Sequence, residues 1–311
     1  MFDGIGADAF MVQASAFSPG HLKGFFQICD EPGDPLRKGA RGAGFSITRG
    51  VLTTVHSEEA RHGSLSIKIN GVPTNLATVS ENVVSKMTKG LRKPQEMVVE
   101  HEASIPIGAG FGASGSGALS LALALNEALE LRLTRMEAAR VAHVAEIECR
   151  TGLGSVLAEL NGGFGVTDKP GGPGVGETVR FPHSKDLRAV CLHFGPISTE
   201  KALSDKKLRR KINELGGRFV DELKGSPSVD GFLELSRSFA EHVELITQRV
   251  RSVLEKTDEE GFLCSMAMFG ETIFSLAEPE KADELASLLR KEAPGHEIFF
   301  DVVDDQGARL V

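Results

Sequence analysis

Twelve consecutive residues, Pro106-Ile107-Gly108-Ala109-Gly110-Phe111-Gly112-Ala113-Ser114-Gly115-Ser116-Gly117, carry the densest chemical signal in the chain. Glycines at this spacing accept positive φ and let the main chain approach a ligand closely. An Ala- and Leu-rich run follows, so a helix N-terminus stands behind the loop, with unpaired N–H groups and the positive end of its dipole. A phosphate group is the natural guest of such a loop. The alternative is a tight turn that only packs strand against helix. A Walker A loop ends in Gly-Lys-Ser/Thr, and no lysine lies between Lys93 and the helix, which excludes it. Gly110-Phe111-Gly112-Ala113-Ser114-Gly115 matches GxGxxG in form. A dinucleotide fold, however, needs a second parallel strand after the helix, and here a second helix is expected.

The elements that must hold this loop can be read around it. Residues 65–69 alternate with period two before Gly71, and residues 97–102 form a strand candidate just ahead of the glycines. Residues 116–131 read as a largely buried helix. Thr134-Arg135-Met136-Glu137 is a capping box that opens a second helix running to about Arg150. The stretch Asp168-Lys169-Pro170-Gly171-Gly172-Pro173-Gly174 is the best boundary, dividing the chain into residues 1–175 and 176–311. Beyond it come a strand at 187–194, helices at 204–223 and 229–256, a strand at 273–276, a helix at 280–292 and a closing strand at 297–303. Mixed elements without strict βαβ alternation give an α+β class.

Composition narrows the function. The 311 residues are 41% hydrophobic and 25% charged, enough for a real core. A net charge of -8 argues against sequence-independent nucleic-acid binding, which needs an excess of Lys and Arg. The basic cluster Lys206-Lys207-Leu208-Arg209-Arg210-Lys211 reads as the solvated face of a helix. No apolar run approaches the ~20 residues that cross a bilayer, and Met1-Phe2-Asp3-Gly4 lacks the start of a signal peptide. Cys29, Cys149, Cys191 and Cys264 are scattered without a CxxC pair, the pattern of reduced thiols in a cytoplasmic protein. The 18 Phe, with neither Trp nor Tyr, read as core filler. His56, His62 and His101 show no ligand spacing.

Residues 106–116 resemble the ATP-phosphate motif of the GHMP kinases, Pro-x-x-x-Gly-Leu-Gly-Ser-Ser-Ala, with Ala113 in place of the first serine and Ser114 matching the second. Residues 16–26, with Ser18-Pro19-Gly20-His21, resemble the family's first motif, and residues 265–272 its degenerate third motif. Within the superfamily, Gly24-Phe25-Phe26, Arg41-Gly42-Ala43-Gly44-Phe45 and Thr151-Gly152-Leu153-Gly154 are similar to the archaeal pantoate kinase family. The resemblance implies the GHMP kinase fold, an N-terminal domain like ribosomal protein S5 domain 2 followed by a ferredoxin-like domain. It also implies phosphorylation of pantoate by ATP and Mg2+ for coenzyme A synthesis, by a cytoplasmic enzyme without nucleic-acid or membrane partners. A homodimer is compatible with this reading. Mevalonate and homoserine are rival substrates, and a catalytically silent ligand-binding homologue is the rival from another class.

Carried over residue by residue, the resemblance makes Pro106, Gly108, Gly110, Gly112, Ala113, Ser114, Gly115 and Ser116 the nucleotide-phosphate contacts. Ser114 becomes a magnesium ligand, although an N-cap role is equally open to it. A hard cation also wants a carboxylate, for which Glu146 is chosen, with Glu148 as fallback. One departure stands out. GHMP kinases that use a catalytic aspartate carry it about seven residues before a Gly-Gly pair, and here that position is Ser155, before Gly162-Gly163. Either no carboxylate base operates, or a neighbour such as Glu159 substitutes. Pantoate's carboxylate calls for a cation, and Arg41 and Arg150 are the candidates. Lys23 and His21 would face the substrate or the transferring phosphate.

Overall fold

The computed structural model describes residues 12–197 and 199–311. The opening residues, on which the signal-peptide reading rests, lie outside the described residues. Buried and partly exposed residues alternate from Ala14 to Phe17 in β1 (Val12–Cys29), which pairs antiparallel with β2 (Gly39–Glu59) over nearly its whole length. The register shifts at Pro19/Gly20 and again at Lys23/Phe25. Such bulges re-aim side chains where a strict pleat would send them to the wrong face. β3 (Ser64–Ile69), β4 (Val72–Pro73), α1 (Thr78–Thr88) and β5 (Gln95–Ala103) follow, and β3 lies parallel to β5.

The glycine loop then leads into α2 (Ala113–Ala128), packed against α3 (Arg135–Cys149). α2 carries no charge before Glu127 and is buried almost all round, as a helix apolar on every face must be. The capping box at Thr134 and Glu137 forms as the sequence predicts. A short α4 (Ser155–Asn161) precedes the hairpin β6 (Phe164–Lys169) and β7 (Glu177–Arg180). β6 pairs with β2, so the Gly/Pro stretch at 168–174 turns inside the first sheet, and the chain crosses to the second sheet only between Arg180 and Arg188.

The second half contains β8 (Arg188–Pro196), α5 (Thr199–Ser204), α6 (Lys206–Gly225), α7 (Val229–His242), α8 (Gln248–Glu259), β9 (Ser265–Met266), β10 (Gly270–Ala277), α9 (Pro279–Glu292), β11 (Ile298–Val302) and β12 (Arg309–Leu310). Its sheet is antiparallel in the order β11-β8-β10-β9, while β12 returns to the first sheet beside β1. The α+β expectation holds. The single helix expected over 229–256 is two helices, broken at Glu244, whose φ is 58°. The buried positions Val243 and Val250 keep helical phase across the break, so periodicity could not reveal it.

Two cores result. One, between the first sheet and α1, α2 and α3, is mainly Ala, Leu and Val. The other joins both sheets to α6 and α7 through phenylalanines. Phe232 stands among Phe25, Phe45, Phe164 and Phe274 at centroid distances of 5.3–6.1 Å. Each such ring pair contributes ~0.5–1.5 kcal/mol beyond area burial, which bears out the reading of Phe as filler. The basic cluster opens α6 with Lys206, Lys207 and Arg210 exposed, and Arg209 is paired with Asp30.

Candidate active site

The three glycine-containing motifs, far apart in sequence, meet around one cavity of about 400 Å³. Gly108, Gly110 and Gly112 take φ of 76°, 86° and 71°, so the loop is left-handed at every second residue, where a side chain would be strained. The first motif reaches the loop through the His21 N–H, which donates to the Phe111 carbonyl at 2.8 Å, and through Ser116 Oγ, which donates to the Pro19 carbonyl at 2.8 Å. From the third motif, Thr272 Oγ1 donates to the Ala109 carbonyl at 2.7 Å. Gly270 packs on the same peptide, and a Cβ there would sit 2.0 Å from the Ala109 carbonyl carbon and oxygen.

Helix α2 starts directly from this loop. Its N-cap is Gly112, and no side chain caps it. The N–H groups of its first turn are therefore left to a ligand. Ser114 is not the N-cap; its hydroxyl instead donates to Glu146 Oε1 at 2.5 Å. Thr151 Oγ1 donates to the same oxygen at 2.6 Å. Glu146 is 2% exposed, and burial raises its carboxyl pKa while the Ser114 and Thr151 hydroxyls pull it back. Gly152 is required here, because a Cβ would lie 2.1 Å from Glu146 Oε2. Glu148 points elsewhere, to Lys86 and Asn82.

Across the cavity stands Lys23, the one cation among its described lining residues. Its Nζ donates to the Leu153 carbonyl at 3.4 Å. Burial, opposed by the nearby Glu159 carboxyl, lowers its pKa to about 8. His21 also lines the cavity. Burial, reinforced by Lys23, pushes its pKa down to about 3, so it is neutral, and its Nδ1 lies 3.2 Å from Ser46 Oγ. Ser155, the first residue of α4, lines the floor.

The structure thus gathers His21, Lys23, Gly108, Gly110, Gly112, Ala113, Ser114, Gly115, Glu146 and Ser155 around one cavity. Pro106 and Ser116 support the loop from behind, outside the lining. The two arginines expected to bind substrate are not in this cavity. Arg41 is taken by Asp168 and Asp221, with Nη2–Oδ1 distances of 3.2 and 2.5 Å, and so clasps the β6–β7 hairpin to α6. Arg150 is exposed at the C-terminal end of α3, in a left-handed conformation with φ 58°.

Several lining residues have no expected role in the sequence. Phe26, Leu203, Met268 and Phe269 contribute an apolar part of the lining, and the Met268 carbonyl packs against Gly110 of the loop. Phe269 holds φ 60°, a costly conformation for a bulky residue, and the Met268 N–H donates to the Lys23 carbonyl at 3.0 Å. Thr151 opens the stretch Thr151-Gly152-Leu153-Gly154, whose spacing by itself gives it no function. A second lobe of about 190 Å³ shares Ile107, Ala113, Ser114 and Thr151 with the main cavity and runs on between β5 and the start of α1.

Residues 77–163 match the model of the GHMP kinases N-terminal domain. The chain is 32% identical to a pantoate kinase of Methanocaldococcus jannaschii over 88% of its own length and 96% of the relative. It is also 32% identical to a pantoate kinase of Thermococcus kodakarensis, over 88% and 91%. A solved structure described as a phosphotransferase related to the CoA biosynthesis pathway superposes with a TM-score of 0.87 at 28% identity, covering 96% and 98% of the two chains. A mevalonate diphosphate decarboxylase from Enterococcus faecalis shares the fold with a TM-score of 0.76 at 14% identity, covering 97% and 99%.

Proposed function

We propose that this chain, which belongs to the pantoate kinase family of the GHMP kinases, phosphorylates the primary hydroxyl of (R)-pantoate with ATP. The product is (R)-4-phosphopantoate, for coenzyme A synthesis in the cytoplasm. The observation that carries the reading is the uncapped start of α2 beneath a loop of left-handed glycines. There, main-chain N–H groups and the helix dipole meet polyphosphate charge. Lys23 adds a buried cation to the lining of the same cavity. The lobe beside α1 has room for a nucleoside, and the apolar side built from Phe26, Met268 and Phe269 suits the gem-dimethyl group of pantoate.

Ser114 Oγ, the Glu146 carboxylate and Thr151 Oγ1 converge as three hard oxygens, a donor set that fits Mg2+. The ion would complete its shell with phosphate oxygens and water. Bound there, it would neutralise phosphate charge. Among the described residues no group of three or more His, Cys, Asp or Glu is placed to hold a metal ion. Phosphoryl transfer asks mostly for positioning and charge compensation, which this wall supplies.

A coupled ADP-release assay with pantoate, mevalonate and homoserine tests the assignment. Turnover with pantoate and a phosphomonoester product by 31P NMR are expected; turnover with mevalonate but not pantoate would overturn the substrate. The silent-homologue reading rests on Ser155 at the aspartate position. Nucleotide binding without any transfer would favour it.

A further inference from the structure

The family's acceptor position is a hydroxyl here, yet a carboxyl lies one helical turn behind it. Ser155 and Glu159 are four residues apart on α4 and so share a face. Ser155 lines the cavity floor, whereas Glu159 is 0% exposed and does not reach the cavity. Ser155 Oγ and Glu159 Oε2 fall 2.4 and 2.7 Å from the point a Cβ of Gly115 would occupy, and Glu159 Oε1 falls 2.5 Å from that of Gly112. The carboxyl is therefore tucked under the phosphate loop, with Ser155 between it and the substrate space. Neither Glu159 oxygen is held in a well-formed hydrogen bond among the described residues, although the Ser155 and Ser116 hydroxyls stand close enough to stabilise its ionised form. A buried carboxyl so loosely held is costly and contributes no stability that an apolar side chain would not exceed. Its place in the molecule calls for a chemical reason.

We propose that Ser155 and Glu159 act together as the proton acceptor that the missing aspartate would have been. This rests on the kinase reading above. Ser155 is the catalytic residue that touches the acceptor hydroxyl, and Glu159 is the positioning residue behind it. In the step, the substrate hydroxyl oxygen forms a bond to the γ-phosphorus of ATP. The bond from that phosphorus to the β,γ-bridging oxygen breaks, and its electron pair leaves with ADP. The substrate proton passes to Ser155 Oγ as the Ser155 hydrogen passes to a Glu159 oxygen. Glu159 ends as the neutral acid and returns its proton to solvent by the same route once product leaves.

The surrounding groups suit that task. Lys23 on β1 and the hydroxyls of Ser155 and Ser116 favour the carboxylate, while Glu146 on α3 disfavours it. His21 on β1 is neutral. Burial outweighs these and holds the Glu159 pKa well above the ordinary glutamate value, which makes the ionised form a strong acceptor. The sign follows: kcat falls as pH drops through that raised pKa and the carboxylate is lost.

The test compares wild type with Ser155→Ala, Glu159→Gln and the double variant Ser155→Asp/Glu159→Gln, measuring kcat, KM and their pH profiles. Either single variant is expected to lose kcat by about 10²–10⁴-fold with little change in KM, and both lose the acid limb. The Asp variant should recover most of the lost kcat, with an acid limb moved to lower pH. A Glu159→Gln enzyme with wild-type kcat and pH profile would overturn the proposal. So would one that loses kcat but keeps the acid limb and is not rescued by Ser155→Asp, since that pattern marks a merely structural residue. Glu159→Gln removes a buried charge and is expected to fold; should it not, Ser155→Ala carries the same test. A wild-type enzyme that binds ATP and transfers nothing to pantoate, mevalonate or homoserine would defeat the kinase reading itself, a result distinct from failure of the pair.

Discussion

Gly270→Ala is the most direct probe of how the third motif serves the glycine loop. A Cβ at this position would stand 2.0 Å from both the carbonyl carbon and the oxygen of Ala109. Those are backbone atoms between two left-handed glycines, and they cannot swing aside as a side-chain tip could. Ordinary contact begins at 3.4 Å, so the two segments must part by about 1.4 Å, and misplacement on this scale typically costs ~10²-fold when groups are held for reaction. The Thr272–Ala109 hydrogen bond of 2.7 Å would open with it. The expectation is a kcat/KM for ATP reduced by about 100-fold, together with an overpacking penalty of about 1–3 kcal/mol. ADP release under saturating pantoate reports the first, and a urea titration the second. Unchanged kinetics with an unchanged midpoint would show that the loop is not braced by Gly270.

Three further outcomes are expected. Glu146→Gln should lower kcat by at least ~100-fold and shift the Mg2+ requirement to higher concentration; near-normal turnover would remove Glu146 from the site. Because burial brings the Lys23 pKa to about 8, Lys23 is charged below that pH and neutral above it, so kcat/KM should fall as pH rises through about 8. Lys23→Arg, charged throughout, should lack this basic limb; a limb that persists in the variant belongs to another group. Arg41→Ala should leave the pantoate KM near wild type while costing about 1 kcal/mol of stability, since the guanidinium links two carboxylates near the surface. A large rise in KM at constant stability would return Arg41 to substrate binding.

The parts of the site legible in the sequence are those fixed by local backbone chemistry. Glycines 108, 110 and 112 announced a left-handed loop, and the Ala/Leu run announced the helix that it feeds. Ser114, from the family motif, and Glu146, chosen as the carboxylate a hard cation wants, stand at hydrogen-bond distance from each other. Arg41 shows why charge type alone misleads: its partners Asp168 and Asp221 lie 127 and 180 residues away, and nothing local marks them. Residues 265–272 are legible as the third motif, but the contacts of Met268 with Lys23 and of Gly270 with Ala109 are not, because both form across the fold. The long β1–β2 hairpin hid behind glycine-rich text that reads as motif before it reads as strand. Glu159 was visible only as a neighbour of Ser155. Its burial without a well-formed hydrogen bond is a property of the packed α4.

The return of β12 to the edge of β1 bears on how the molecule is assembled. Val311 donates to the Ser15 carbonyl, and Ala308 to that of Glu159, so the last residues brace both the first strand and the helix that floors the cavity. Loss of residues 308–311 would strike a cavity floor about 150 positions away in sequence, from a stretch that lines none of it.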